Sequence, residues 1–201
     1  MAFGLLGVSY QSKVLPYHDE KTPIELTGIK MLPIVQEDSG LAMNESLEII
    51  KKFDSKGKLN FTHYQSLSTE IDHLLDRIAS PVHNLAMPYW IWTKEFNDQS
   101  REYFEAKKSK KRGPFNKLVH RRDEFISQLS PIFEDLNKQL TLFYKSQDLT
   151  IVDIMIAAHL WGLYVVPEFQ FPQTIHDYLQ AVKKLTHFNY HEDFWRDQLK
   201  E

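Results

Sequence analysis

No cysteine occurs among the 201 residues of this chain, and that absence removes more chemistry than any motif in it adds. Without a thiol the chain can form no disulfide, no thiolate zinc site and no cysteine nucleophile. Redox chemistry at sulfur would need atoms this sequence does not contain. Long apolar runs are also missing: Ile154 to Ala158 is one of the longest, far short of the ~20 residues that span a bilayer. Met1 to Val8 is apolar but has neither a basic leader nor an A-x-A site, so no signal peptide is read and the cytoplasm is the expected location. Glycines number only 7, and no P-loop, G-x-S-x-G or Rossmann fingerprint is present. A formal net charge of -3 argues against a general polyanion binder. What remains is a composition with 42% hydrophobic and 13% aromatic residues, which predicts a packed core rather than disorder.

The chain divides by pattern. Ser12 to Leu15 reads as a short strand, followed by the polar turn Tyr17-His18-Asp19-Glu20. Thr22-Pro23 reads as an N-cap with proline at the first helical position, and Gly28 stops that helix. Met31 to Val35 is a compact apolar run bounded by Gln36 to Gly40, which predicts a strand, a hairpin turn and a returning strand at Leu41 to Met43. Asn44-Glu45-Ser46 opens a helix with Leu47, Ile50 and Phe53 on one face. The order β-α-β-β-α is that of an incomplete thioredoxin-like domain, placed at residues 1–56 with a polar linker at Asp54 to Lys58.

Residues 57–201 show helical spacing only. Leu67, Ile71, Leu74, Leu75 and Ile78 lie on one helical face that Ser80-Pro81 ends or kinks. A helix from about Gln99 to Lys111 is stopped by Gly113-Pro114. Phe115, Leu118, Val119, Phe125, Ile126 and Leu129 continue the period to a restart or kink at Ser130-Pro131. Further helices fall near Ile151 to Tyr164 and Gln173 to Leu185.

Three stretches carry a family resemblance. Thr27 to Val35, with Leu32-Pro33 inside it, resembles the segment leading into the cis-proline strand of glutaredoxins and glutathione transferases. Met43-Asn44-Glu45-Ser46 is similar to their Glu-Ser pair at a helix start. Arg101-Glu102-Tyr103-Phe104 through Lys107-Lys108, then Gly113 and Phe115, resembles the GST-like bacterial glutaredoxins of the glutaredoxin 2 family in particular. The resemblance implies an α/β thioredoxin-like N-terminal domain, incomplete here, plus an all-α GST-like C-terminal domain. It also implies glutathione-dependent disulfide oxidoreductase chemistry in the intact family. That family begins with a strand and a Cys-Pro-x-Cys motif, whereas Met1 to Leu5 aligns with the back half of the helix that follows. The expectation is therefore either a loosened N-terminal domain or, preferably, a shortened version of a longer protein. In either case catalytic residues are absent from the chain as given.

The candidate glutathione-binding residues are Leu32, Pro33, Glu45 and Ser46. A cis Leu32-Pro33 bond would turn the Leu32 N–H and C=O outward to pair with an extended peptide such as glutathione; a trans proline at a strand edge is the alternative. The helix N-terminus at Ser46 offers N–H groups and a hydroxyl to a carboxylate, and Glu45 could accept from a ligand ammonium. Plain capping by Asn44, with Glu45 steadying the first turn, is the other reading.

Other motifs point to structure. Thr150-Ile151-Val152-Asp153 is a capping box with Asp at the third position, and Leu149 and Ile154 have the spacing of a hydrophobic staple. The run Lys107 to Arg112 reads as the solvated last turn of a helix rather than a nucleic-acid or membrane contact. His187 and His191 have i,i+4 spacing, but no H-E-x-x-H or carboxylate-paired set accompanies them, so no metal is expected. Pro88-Tyr89-Trp90 and Trp92 suggest an aromatic cluster between the domains. Two functional hypotheses result: a glutaredoxin-2-like protein with a residual glutathione site, or a non-catalytic scaffold whose helical domain contacts a protein partner.

Overall fold

The computed structural model describes residues 1–190. Five elements form the N-terminal part: α1 (Ala2–Leu6), α2 (Lys21–Thr27), β1 (Val35–Gln36), β2 (Ala42–Met43) and α3 (Ser46–Phe53). Their lengths follow local signals. Gly28 ends α2 at φ 81, a left-handed conformation that costs glycine little. The start of α2 is capped by Asp19, whose Oδ1 accepts the Thr22 N–H at 2.9 Å, so Thr22 lies inside the helix rather than at its cap. A hydrogen bond from the Thr22 hydroxyl, and then this backbone bond, hold the Asp19 carboxyl below its ordinary range.

The sheet is smaller than the apolar pattern suggests. β1 and β2 form an antiparallel pair with Val35 opposite Met43 and Gln36 opposite Ala42. Ser12 to Leu15 forms no strand, and Val14 is 62% exposed. An extended segment becomes a strand only where a neighbour completes its ladder, and among the described residues none does so here. On α3 the periodicity identifies a stripe but misplaces its centre. Ile49 is buried, while Leu47, Ile50 and Phe53 are half-buried against α1 and its surroundings.

The turn between the two parts is fixed rather than loose. Asp54 is buried, and its carboxylate accepts the Lys58 N–H at 2.7 Å and the Leu59 N–H at 2.8 Å. Lys58 Nζ donates to the Leu5 carbonyl at 2.6 Å, and the Leu59 carbonyl accepts from Ile151 N–H at 2.8 Å.

Helices then follow in order: α4 (Phe61–Trp90), α5 (Asp98–Arg112), α6 (Phe115–His120), α7 (Arg122–Gln139), α8 (Ile151–Leu160), a 3-10 turn (Trp161–Val165) and α9 (Gln173–Thr186). α4 is the axis, packed against α6, α7 and α8. It runs through Pro81 and Pro88, both on its buried side, where core packing offsets the missing backbone donors. The core joins Ile71, Leu74, Ile78 and Leu85 of α4 to Phe125, Leu129 and Leu136 of α7. Val119, expected within that stripe, is exposed. α1 closes the far side: Ala2 enters the core, and Gly4 lies so close to α9 that a Cβ there would overlap the Thr186 carbonyl. No helix among the described residues is long and apolar enough to cross a membrane.

The basic end of α5 is only partly solvated. Arg112 docks on α4, donating to Asn84 Oδ1 at 2.8 Å, with its second nitrogen 3.3 Å from His83 Nδ1. Burial, then the Arg112 charge, pushes the His83 imidazole down to about 4 from 6.5. The folded state thus holds His83 neutral where an unfolded chain would protonate it. This stabilisation is complete above pH 6.5 and is lost as pH falls toward 4. Allowing for solvent around a partly exposed ring, the loss should be about 1–2 kcal/mol. Urea unfolding of wild type and His83→Gln at about pH 7 and about pH 4.5 checks this: the gap between them should narrow on acidification. A gap independent of pH would refute it.

Candidate functional site

The Leu32-Pro33 peptide bond is cis. Leu32 is exposed, and neither its N–H nor its C=O has a hydrogen-bond partner among the described residues. Twelve residues after Pro33, Glu45 adopts φ 68 and ψ 93 at the N-cap of α3. A non-glycine residue there carries strain, on the order of 1–3 kcal/mol. No side chain caps α3. Asn44, the expected cap, instead donates from Nδ2 to Thr27 Oγ1 at 3.1 Å and ties α2 to the end of β2. Among the described residues, the N–H groups of Ser46, Leu47 and Glu48 therefore meet no acceptor, and Ser46 itself is exposed. Unpaired N–H groups at a helix start form a ready anion site.

The hairpin brings these two segments together. Val35 pairs with Met43 in an antiparallel register, so Pro33 and Glu45 each lie two residues beyond that last pair, on the two arms of the hairpin. Leu32 precedes Pro33, and Ser46 follows Glu45 as the first residue of α3. All four residues lie within three positions of the Val35–Met43 pair that ends the ladder, and among them are an exposed Leu32, a carboxylate, a hydroxyl and the start of α3. Chemically this set suits a short zwitterionic peptide: main-chain pairing along one side, and a carboxylate and ammonium at one end.

A neighbouring network was not foreseen from the sequence. Lys30, two residues before Leu32, lies against the Tyr103 ring at 4.5 Å and the Tyr17 ring at 5.2 Å from their centroids. Its ammonium donates to the Tyr17 carbonyl at 2.9 Å, to Glu20 at 3.3 Å and to the Tyr103 hydroxyl at 3.5 Å. The Tyr103 hydroxyl also donates to Glu20 and accepts from Lys107 at 3.3 Å. These donors hold the Glu20 carboxyl below its ordinary value, the Tyr103 bond first and Lys30 second. Beside them Ser100, fully buried, accepts the Tyr17 N–H at 3.0 Å and lies 2.9 Å from His18 Nδ1. The sequence signal was present in two quoted motifs, Thr27 to Val35 and Arg101 to Lys108, but nothing in either indicated that they meet.

The aromatic junction lies elsewhere than expected. Tyr17 packs edge-on to Phe104 at 4.7 Å and stacks on Phe96 at 5.9 Å, and Phe104 continues to Phe115. Trp92 is 53% exposed under the Arg101 guanidinium. Trp90 is turned to the helical core, donating Nε1 to the Gly162 carbonyl at 3.0 Å. A shallow cleft of ≈ 380 Å³ separates Val14 and Pro16 from Lys94, Glu95 and Asn97. No metal-binding cluster of His, Asp or Glu occurs among the described residues. Of the expected histidine pair, His187 caps α9 at φ 51, and His191 lies outside the described residues.

Comparison with known proteins fits this arrangement. The family described as Glutaredoxin 2, C terminal domain matches residues 70–194. Glutaredoxin 2 of Escherichia coli K12 is 29% identical over 197 residues, covering 94% of this chain and 89% of the relative. Glutaredoxin 2 of Escherichia coli O157:H7 matches to the same extent. The crystal structure of glutaredoxin 2 from Salmonella typhimurium in complex with glutathione superposes with a TM-score of 0.81 at 26% identity, covering 94% of this chain and 88% of that one. The architecture is accordingly a thioredoxin-like α/β domain, incomplete here, joined to a GST-like all-α domain. From the family match across most of the helical part and the collinear similarity to these relatives, the chain belongs to the glutaredoxin 2 family.

Proposed function

We propose that this chain binds glutathione through Leu32, Pro33, Glu45 and Ser46, and that as a cysteine-free polypeptide it performs no thiol–disulfide exchange by itself. The thioredoxin-like unit is residues 1–56 and the helical unit residues 57–201. The observation that supports the reading is the β1–β2 register, in which the Val35–Met43 pair is followed on its two arms by Pro33 and Leu32 and by Glu45 and Ser46. Glutathione offers what they complement. Its γ-glutamyl carboxylate meets the uncapped N–H groups and hydroxyl at Ser46, its ammonium meets Glu45, and its cysteinyl amide pairs with the Leu32 main chain. Similarity to a glutaredoxin 2 crystallised with glutathione supports the same ligand.

Exchange with a disulfide needs an attacking thiolate, and the sequence holds none. The 201-residue chain should therefore give no turnover with hydroxyethyl disulfide and glutathione. Calorimetric titration with reduced glutathione should give a dissociation constant in the millimolar range or tighter. Ser46→Ala should weaken it about tenfold or more, the worth of one hydrogen bond to a charged group. Turnover above background would contradict the proposal. So would absence of heat at saturating glutathione, which would favour a scaffold role in which the helical unit engages a protein partner.

A further inference from the structure

We propose that Lys30 is a positioning residue for this site, clamping the Leu32-Pro33 segment to α5 so that the helical unit sets the affinity for glutathione. The inference rests on the glutathione reading of Leu32, Pro33, Glu45 and Ser46, and adds residues outside that set.

Lys30 is separated from Leu32 by Met31 alone, so the placement of its ammonium limits where the Leu32 peptide can lie. Its side chain is only 22% exposed, unusual for lysine. It is enclosed by groups from two distant parts of the chain. From the segment before α2 come the Tyr17 ring, the Tyr17 carbonyl and Glu20; from α5 come the ring and hydroxyl of Tyr103. Two aromatic faces and three oxygen acceptors account for the whole ammonium, so the group is saturated within the protein and has no donor left for a ligand. Lys107 extends the same cluster, 3.3 Å from the Tyr103 hydroxyl and 3.7 Å from Glu20. Among the described residues, α5 is the element of the helical unit that enters this cluster.

Arginine can keep the aromatic and carboxylate contacts, whereas methionine keeps length and loses charge. Lys30→Met should therefore weaken glutathione binding about fivefold to tenfold, and Lys30→Arg should restore most of it. Tyr103→Leu, on the other unit, should weaken binding to the same extent. The double variant Lys30→Met/Tyr103→Leu should be no weaker than either single one, because both break one clamp.

The experiment is a calorimetric glutathione titration of the full chain as wild type, these variants and Ser46→Ala, with near-ultraviolet circular dichroism to confirm packing in each. Native-like spectra with the expected losses and the rescue by arginine support the proposal. Wild-type affinity in Lys30→Met, with Ser46→Ala still impaired, would overturn the clamp while leaving the glutathione site standing. Additive losses in the double variant would also overturn it, since the two residues would then act separately. No binding by the wild type would remove the site and the clamp together.

Discussion

Replacing Asp153 by alanine should lower the unfolding free energy by about 3–5 kcal/mol, and with it the melting temperature by on the order of 10 °C. The spacing of Thr150 and Asp153 alone suggests a helix cap, worth about 1 kcal/mol. The structure gives the carboxylate a larger task. It is fully buried and accepts hydrogen bonds from the Thr150 N–H at 2.8 Å, the Thr150 hydroxyl at 3.1 Å, the Tyr144 N–H at 2.8 Å and the Tyr178 hydroxyl at 3.0 Å. It therefore joins the start of α8 to the turn after α7 and to α9. Burial pushes the Asp153 carboxyl up against the pull of these donors, and it drives the Tyr178 hydroxyl strongly up as well. Alanine would leave buried donors from three segments unsatisfied, each costing roughly 1–3 kcal/mol. Asparagine should fall between, since its carbonyl oxygen can keep part of the set while its NH2 faces donors. Thermal and urea unfolding of both variants check the ranking. A loss below about 1 kcal/mol for alanine would reduce Asp153 to an ordinary cap.

Much of this fold was legible in the sequence because its signals are local. The Thr150 box, the Gly28 stop and the helical stripe of Ile71, Leu74, Leu75 and Ile78 each depend on residues within a few positions of one another, and each is present in the structure. The readings that missed depend on neighbours the local pattern does not name. Ser12 to Leu15 has strand composition but no ladder among the described residues. Thr22 has the right chemistry for a cap, yet Asp19, placed earlier, reaches the free N–H first. The end of α5 looked like an ordinary solvated terminus, but Arg112 finds Asn84 and His83 across a helix contact.

The candidate site divides along the same line. Leu32, Pro33, Glu45 and Ser46 follow from resemblance alone, and the short hairpin, a local element, accounts for both segments flanking its Val35–Met43 pair. The Lys30 clamp could not be read in this way. Tyr103 is 73 positions from Lys30, and neither residue type at its own position distinguishes a clamp from a surface lysine and a half-buried tyrosine. Ser100 is a similar case: a serine in the first turn of α5 is unremarkable until the structure buries it against Tyr17 and His18.

Gly162→Ala should be the most damaging single-methyl change in the helical unit, costing about 3 kcal/mol or more, the upper range for overpacking in a core. Gly162 is buried in the 3-10 turn after α8, where Trp90 at the end of α4 lies directly over it. A Cβ built there would fall 2.6 Å from Trp90 Nε1 and closer still to the ring carbon Cζ2. The indole cannot simply swing aside, because its Nε1 donates to the Gly162 carbonyl at 3.0 Å and its edge meets the His83 ring. Shifting the ring breaks the hydrogen bond, and shifting the turn displaces Leu163 and Val165, both buried. The test is a double-mutant cycle with Trp90→Ala, which removes the obstructing ring. Gly162→Ala should cost far less in that background than in wild type, giving a coupling energy on the order of 2 kcal/mol. Equal costs in both backgrounds would mean that the turn, and not the indole, demands glycine at 162.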